Sequence, residues 1–99
     1  MGKIKFFMGD ERDWFRFRRE VKSNFIPLVG TRTSVSSAGI PSGKIISSFY
    51  CIHYNRWEAV ILLDHLLEED DPLIQIYKRS GWEDSDELLS DQTPVDDGG

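Results

Sequence analysis

Arg12, Arg16, Arg18, Arg19 and Lys22 stand within eleven residues of one another, and Phe15 lies among them. Guanidinium groups hold phosphates, and a phenyl ring between them can stack on a base. If residues 10–23 form a helix, Arg12, Arg16, Arg19 and Lys22 gather opposite an apolar stripe of Trp14, Phe17, Val21 and Phe25. Arg18 then sits at the border. With Lys3 and Lys5 this makes a candidate nucleic-acid-binding surface. The plainer reading is a solvated face on which Phe15 packs against a neighbouring strand.

The second set is acidic. Asp64, Glu68, Glu69, Asp70 and Asp71 follow one another closely, and Trp57, Ile61 and His65 fall beside them on a helical wheel over 56–69. Apolar anchors flanked by carboxylates suit a protein-binding patch aimed at a basic surface. Carboxylates at irregular spacing also imitate phosphates, which is the electrostatic basis of DNA mimicry. The plainer reading is a solubilising face.

Other chemistry finds little support. Cys51 and His53 alternate on one strand face, and Asp64 or His65 could approach, but one Cys and two His fall short of the paired motifs of a zinc site. No metal and no cofactor are expected, and Cys51 reads as a small buried hydrophobe. Gly39-Ile-Pro-Ser-Gly43-Lys44 lacks the spacing of a phosphate loop, and Ile45 stands where Ser or Thr is needed. Serines 34, 36, 37, 42, 47 and 48 have no nucleophile-elbow context. No catalytic residue is assigned, and the chain is not expected to be an enzyme.

Charge divides by halves. Residues 1–50 carry nine basic residues against four acidic ones, and residues 51–99 three against thirteen. The net charge of −5 hides that asymmetry, which points to charged partners. The lone cysteine suits a reducing compartment. No run resembles a signal peptide or a membrane span, so the expected setting is cytoplasmic, with no membrane partner.

These side chains need elements to carry them. Lys3–Met8 alternates as a short strand. Asp10 can cap a helix over 10–23, while Phe15-Arg16-Phe17-Arg18 also alternates with the period of a strand. Ile26–Val29 could be a short strand, and 31–43 reads as a long loop. Ile45–Tyr54, rich in β-branched and aromatic residues, is the best strand. Asn55 and Glu58 resemble a loose capping box for a helix over 56–69, with Ala59, Val60, Leu62, Leu63, Leu66 and Leu67 on its apolar face. Asp71-Pro72 starts a helix over 72–80 that Gly81 ends.

The expected fold class is therefore α+β: a small antiparallel or mixed sheet with two to three amphipathic helices on one face. Residues 1–82 form the domain. Residues 83–99, with seven acids and no base, form a disordered acidic tail. In the alternative, residues 14–21 pair with Lys3–Met8 as a hairpin in a mostly antiparallel sheet. The expected function is a non-catalytic protein-binding module whose acidic surface occupies the basic, nucleic-acid-binding surface of a partner enzyme. Accessory proteins of viruses and mobile elements have this style. The alternative is a nucleic-acid-binding accessory protein using the 12–22 segment, with the tail as internal competitor.

Overall fold

The computed structural model describes residues 2–36 and 41–85, and nearly all of its regular structure is strand. The strands are β1 (Lys3–Asp10), β2 (Asp13–Lys22), β3 (Arg32–Ser34), β4 (Pro41–Cys51), β5 (Arg56–Leu63) and β6 (Glu83–Asp84). One helix, α1, spans Pro72–Arg79. The six strands form one curled sheet in the order β3-β4-β5-β1-β2-β6. All neighbours are antiparallel except β1 and β5, which run parallel at its centre.

The α+β expectation is thus corrected to a mostly β fold. Residues 10–23 are not a helix: they turn at Glu11-Arg12 and return as β2. The reason lies in β1, where Phe6, Phe7 and Met8 are all buried, so both faces of the strand carry apolar load. Val21 and Phe17 meet that need by pairing with Ile4 and Met8. Of the expected apolar stripe Trp14 is exposed, whereas Phe17 and Val21 face the inner core as alternate residues of a strand.

Residues 56–69 are not a helix either. Arg56–Leu63 is β5, buried between β4 and β1 and covered on both faces. A strand of that kind carries apolar residues at consecutive positions, and over eight residues it reads like a buried helix. Asn55 is no cap. It takes a positive φ of 56° in the β4–β5 turn. Leu66, counted on the apolar face, is exposed, whereas Leu63 and Leu67 are buried. The second half of the expected helix is instead the loop 64–71 leading into α1.

The 72–80 helix does form. Asp71 accepts the N–H of Leu73 at 3.0 Å, Pro72 occupies the first turn, and Gly81 at φ 104° follows the end. Glu83 and Asp84, expected in the tail, pair with Arg18 and Phe17 as β6. The tail expectation for 86–99 lies outside the described residues, as does 37–40 of the loop expectation; 32–34 and 41–43 of that loop are strand.

The inner face holds the main core: Ile4, Phe6, Met8, Phe17, Ile45, Ala59, Ile61 and Leu63, closed by Ile74 and Tyr77 of α1 and by Trp82. On the outer face Phe7 and Val60 are fully buried beneath Phe15, Ile46 and Phe49. A bulge sets this division. Between the pairs Met8–Phe17 and Asp10–Asp13, three β2 residues stand against Gly9 alone. The strands approach so closely there that a Cβ on Gly9 would lie 1.7 Å from the carbonyl oxygen of Asp13. The extra residues turn Phe15 outward, edge-on to Phe7 at 5.4 Å. Among the described residues no helix is long and apolar enough to cross a membrane.

Candidate binding cleft

At the end of the sheet where β1 starts and β4 ends, Ser23–Gly30 leaves β2 and crosses toward β3. Its fixings are specific. Ser23 N–H donates to Gly2 O at 3.0 Å, Phe25 stacks on Phe6 at 6.4 Å, Pro27 is fully buried, and Gly30 N–H donates to Ile45 O at 2.7 Å. Opposite this crossing stands the β4–β5 turn, Ile52–Asn55. Between them lies an open cleft of about 610 Å³ lined by Lys3, Phe25, Ile26, Tyr50, Tyr54, Arg56 and Trp57, with Gly2, Ser23, Asn24 and Asn55 completing it.

The cleft wall is aromatic and braced. Tyr50 and Trp57 pair across β4 and β5 with rings edge-on at 5.7 Å. The Tyr50 hydroxyl donates to Asn55 Oδ1, which ties the wall to the turn. The guanidinium carbon of Arg56 lies 4.8 Å from the Tyr54 ring centroid, a cation–π contact. Arg56 is itself fixed by Glu58 at 3.1 Å and Glu20 at 3.3 Å. Lys3 stands opposite Lys22 in the ladder, two cations side by side. Among its lining residues the cleft has no carboxylate, thiol or imidazole. It offers stacking surface and positive charge, not acid–base chemistry.

The sequence-expected residues scatter relative to this site. Of the acidic set, Trp57 lines the cleft half-buried, but Ile61 is buried in the core. Asp64 pairs with Arg32 at 2.8 Å, Glu68 with Arg12 at 3.6 Å, and Asp71 caps α1. His65 Nε2 lies 3.4 Å from the Tyr77 hydroxyl. Glu69 and Asp70 form an exposed turn between them. The loop 64–71 therefore keeps the acids together while spending several of them on partners within the chain.

The basic set divides three ways. Arg12 and Arg16 reach the carbonyl oxygen of Leu67, at 2.9 and 3.4 Å, and hold the acidic loop. Lys5, Phe15 and Arg18 belong to the outer face, where Lys5 Nζ lies 5.3 Å from the Phe7 centroid and Arg18 pairs with Glu83 at 3.6 Å. Arg19 lies against the Gly81 turn, Lys3 lines the cleft, and Lys22 stands opposite Lys3 in the ladder. Cys51 is a half-buried free thiol, and among the described residues no three His, Cys, Asp or Glu side chains cluster as metal ligands.

Sequence reasoning missed Phe25, Ile26, Tyr50, Tyr54 and Asn55. A signal was present: Phe25-Ile26-Pro27-Leu28-Val29 is an apolar run with no amphipathic period, and Tyr50 to Tyr54 continues an aromatic strand into its turn. The halves' charge asymmetry also folds away. The described residues carry twelve basic and twelve acidic side chains, and the whole net charge of −5 belongs to 86–99. Comparison with protein-family models, with curated proteins and with solved structures finds no match for this chain.

Proposed function

We propose that this chain is a non-catalytic protein-binding module that takes an extended segment of a partner into the aromatic cleft. The segment carries an aromatic or large aliphatic side chain beside carboxylates. The observation that carries the reading is that four of the ten exposed large apolar side chains among the described residues gather in one place. Phe25, Ile26, Tyr50 and Tyr54 are 48, 54, 44 and 52% exposed, and all four line the same cleft. Exposed aromatics gathered in one concavity, rimmed by polar groups, are the composition of an interface centre. Covering one large apolar side chain there is worth about 1.5–3 kcal/mol, and a stacked ring adds about 0.5–1.5. Lys3 and Arg56, the cations among the lining residues, supply the charge preference, with Lys22 beside Lys3 in the ladder.

This reverses the partner's sign relative to the sequence expectation. Of the acids of 64–71, Asp64 is engaged by Arg32, Glu68 by Arg12 and Asp71 by the start of α1, and the net negative charge is carried by 86–99. The experiment is selection from a displayed random-peptide library, with single-stranded oligonucleotides titrated in parallel. Trp57 emission, isolated by difference against Trp57→Phe, reports occupancy of the cleft. Acidic, aromatic peptides should be enriched. Tyr54→Ala and Lys3→Glu should each weaken them about tenfold or more while leaving the melting temperature unchanged. Enrichment that is indifferent to Tyr54→Ala, or selection of basic peptides, overturns the reading. Oligonucleotide binding in place of peptide binding overturns it in favour of base stacking on the same rings.

A further inference from the structure

We infer that the open edge of β4, Ile46–Cys51, is a pairing surface for a second copy of this chain, forming a two-fold antiparallel dimer. The first observation is the contrast between the edges of one sheet. β3, the outermost strand on this side, spans three residues and covers β4 only as far as Lys44; Thr31 and Gly30 then bond Ile45. Beyond that point, among the described residues, no backbone hydrogen bond reaches the outer side of β4. The open stretch is Ile-Ser-Ser-Phe-Tyr-Cys, six residues without a charge or a proline. On the opposite side β6 covers only Phe17 and Arg18, and the open part of β2 is Arg-Glu-Val-Lys. Charges on an edge are a common guard against pairing with another chain. β2 carries that guard and β4 does not.

The second observation is which groups face outward. Ile45 donates its N–H to Thr31 O and accepts from Gly30 N–H, so its main chain points away from β5. Hydrogen-bonded and non-bonded pairs alternate along an antiparallel ladder. Counting along β5 from the Ile45–Ile61 pair, Ser48 (opposite Ala59) and Tyr50 (opposite Trp57) repeat the Ile45 orientation. The close Tyr50–Trp57 ring contact suits a non-bonded pair, where side chains approach most nearly. Ser48 and Tyr50 therefore aim their N–H and C=O groups at the open edge.

One register uses them all. With the two-fold axis at Phe49, Ser48 stands opposite Tyr50 of the second copy, and Tyr50 opposite its Ser48. Each of those pairs exchanges both hydrogen bonds. Phe49 meets Phe49 of the second copy on the outer face, extending the apolar cluster on Phe7 and Val60 across the axis. Ser48, whose Oγ is a buried side-chain oxygen without a hydrogen-bond partner among the described residues, comes beside a tyrosine. An uncharged strand meets an uncharged strand, and the body of each copy is charge-neutral. The contact is isologous, so it closes at two copies and does not propagate.

The same register places Ser47 opposite Cys51 of the second copy. Ser47→Cys should give a disulfide-linked dimer under mild oxidation. Within one chain the two positions are about 13 Å apart on one strand, too far to bridge, and Cys51 is equally far from its own symmetry mate. Thr33→Cys on β3 is the control and should not link. Sedimentation of the reduced wild-type protein should show a concentration-dependent monomer–dimer equilibrium. Ser48→Pro removes an outward N–H and no β4–β5 bond, so it should raise the dimer dissociation constant about tenfold or more with the circular dichroism unchanged. Neither Ser47 nor Ser48 lines the aromatic cleft, so this outcome is separate from that of the peptide selection. A wild-type monomer throughout the concentration series overturns the inference. So does a dimer that survives Ser48→Pro without linking through Ser47→Cys.

Discussion

Replacing Asp10 by Asn should destabilise the fold by about 2–4 kcal/mol, a large share of the roughly 5–15 expected for a domain of this size. The Asp10 side chain is almost wholly buried at the β1–β2 turn. Its Oδ1 accepts the N–H of Arg12 at 2.9 Å and of Asp13 at 3.1 Å, which shapes the turn. Its Oδ2 accepts the N–H of Leu67 at 2.8 Å and faces the Arg12 guanidinium at 3.4 Å, which pins the 64–71 loop to the hairpin. In the Asn variant one oxygen can keep the turn, but the amide nitrogen then meets Leu67 N–H and Arg12, donor against donor. One charge-assisted bond, worth about 1.5–3 kcal/mol, is lost and a buried N–H is left unsatisfied. The pH dependence is a second signature. Burial acts to raise the Asp10 pKa, but the N–H groups of Leu67, Arg12 and Asp13 and the Arg12 guanidinium outweigh it and hold the pKa below the ordinary value. The unfolded chain, with Asp near 3.9, therefore takes up the proton first as pH falls. The stability this carboxylate contributes is complete above that value and disappears as pH falls through the lower, folded one. Urea unfolding followed by tryptophan emission, at neutral pH and across the acid range, measures both. The wild-type advantage over Asp10→Asn should shrink as the acid range is entered. A neutral-pH difference below about 0.5 kcal/mol, the size of an ordinary surface change, would refute the clamp.

Leu63→Ala should cost about 2–5 kcal/mol, because Leu63 is buried, whereas Leu66→Ala should sit within about 0.5, because Leu66 is 46% exposed; chemical denaturation of the pair reads the contrast. Trp82→Phe should cost about 1–3 kcal/mol by removing the 2.7 Å bond from Nε1 to the carbonyl oxygen of Val35 and leaving that oxygen buried, seen as a lowered urea midpoint. Gly9→Ala should abolish the cooperative thermal transition, since its Cβ would overlap the Asp13 carbonyl; a normal melting curve would mean that the bulge can be rebuilt.

Local chemistry was legible where one residue type does one job. Asp71-Pro72 and Gly81 mark the ends of α1 because capping and positive φ are local demands. Ile45–Tyr54 announced a strand by its composition, although it begins earlier, at Pro41, and ends at Cys51, where the turn starts. β2 and β5 were misread for different reasons. In β2 the spacing of Trp14, Phe17 and Val21 matches a helix by accident and competed with the alternation of Phe15-Arg16-Phe17-Arg18, which pointed to the hairpin that β1 and β2 form. In β5 burial on both faces erases the period altogether. The cleft was invisible because its residues come from three places, the β1 start, the 23–26 crossing and the β4–β5 turn, which only tertiary pairing brings together. Charge was misleading for the same reason: Arg12, Arg18 and Arg32 neutralise Glu68, Glu83 and Asp64 across the chain.

The parallel seam between β1 and β5 bears on how the chain reaches this fold. β1–β2 and β4–β5 are neighbours in sequence, and hairpins of that kind form on a microsecond scale. The seam joins Ile4 to Trp57 and Gly9 to Leu62, positions about fifty residues apart. Closing so long a loop is the slow event, and it comes before the contacts that reward it. Until it closes, Phe7 and Val60 are on separate hairpins, and neither face of the sheet is complete. The topology therefore predicts that the two hairpins form first and present bare apolar sides and unpaired edges until the seam closes. Such surfaces are prone to aggregate, so the yield of refolding should fall as protein concentration rises.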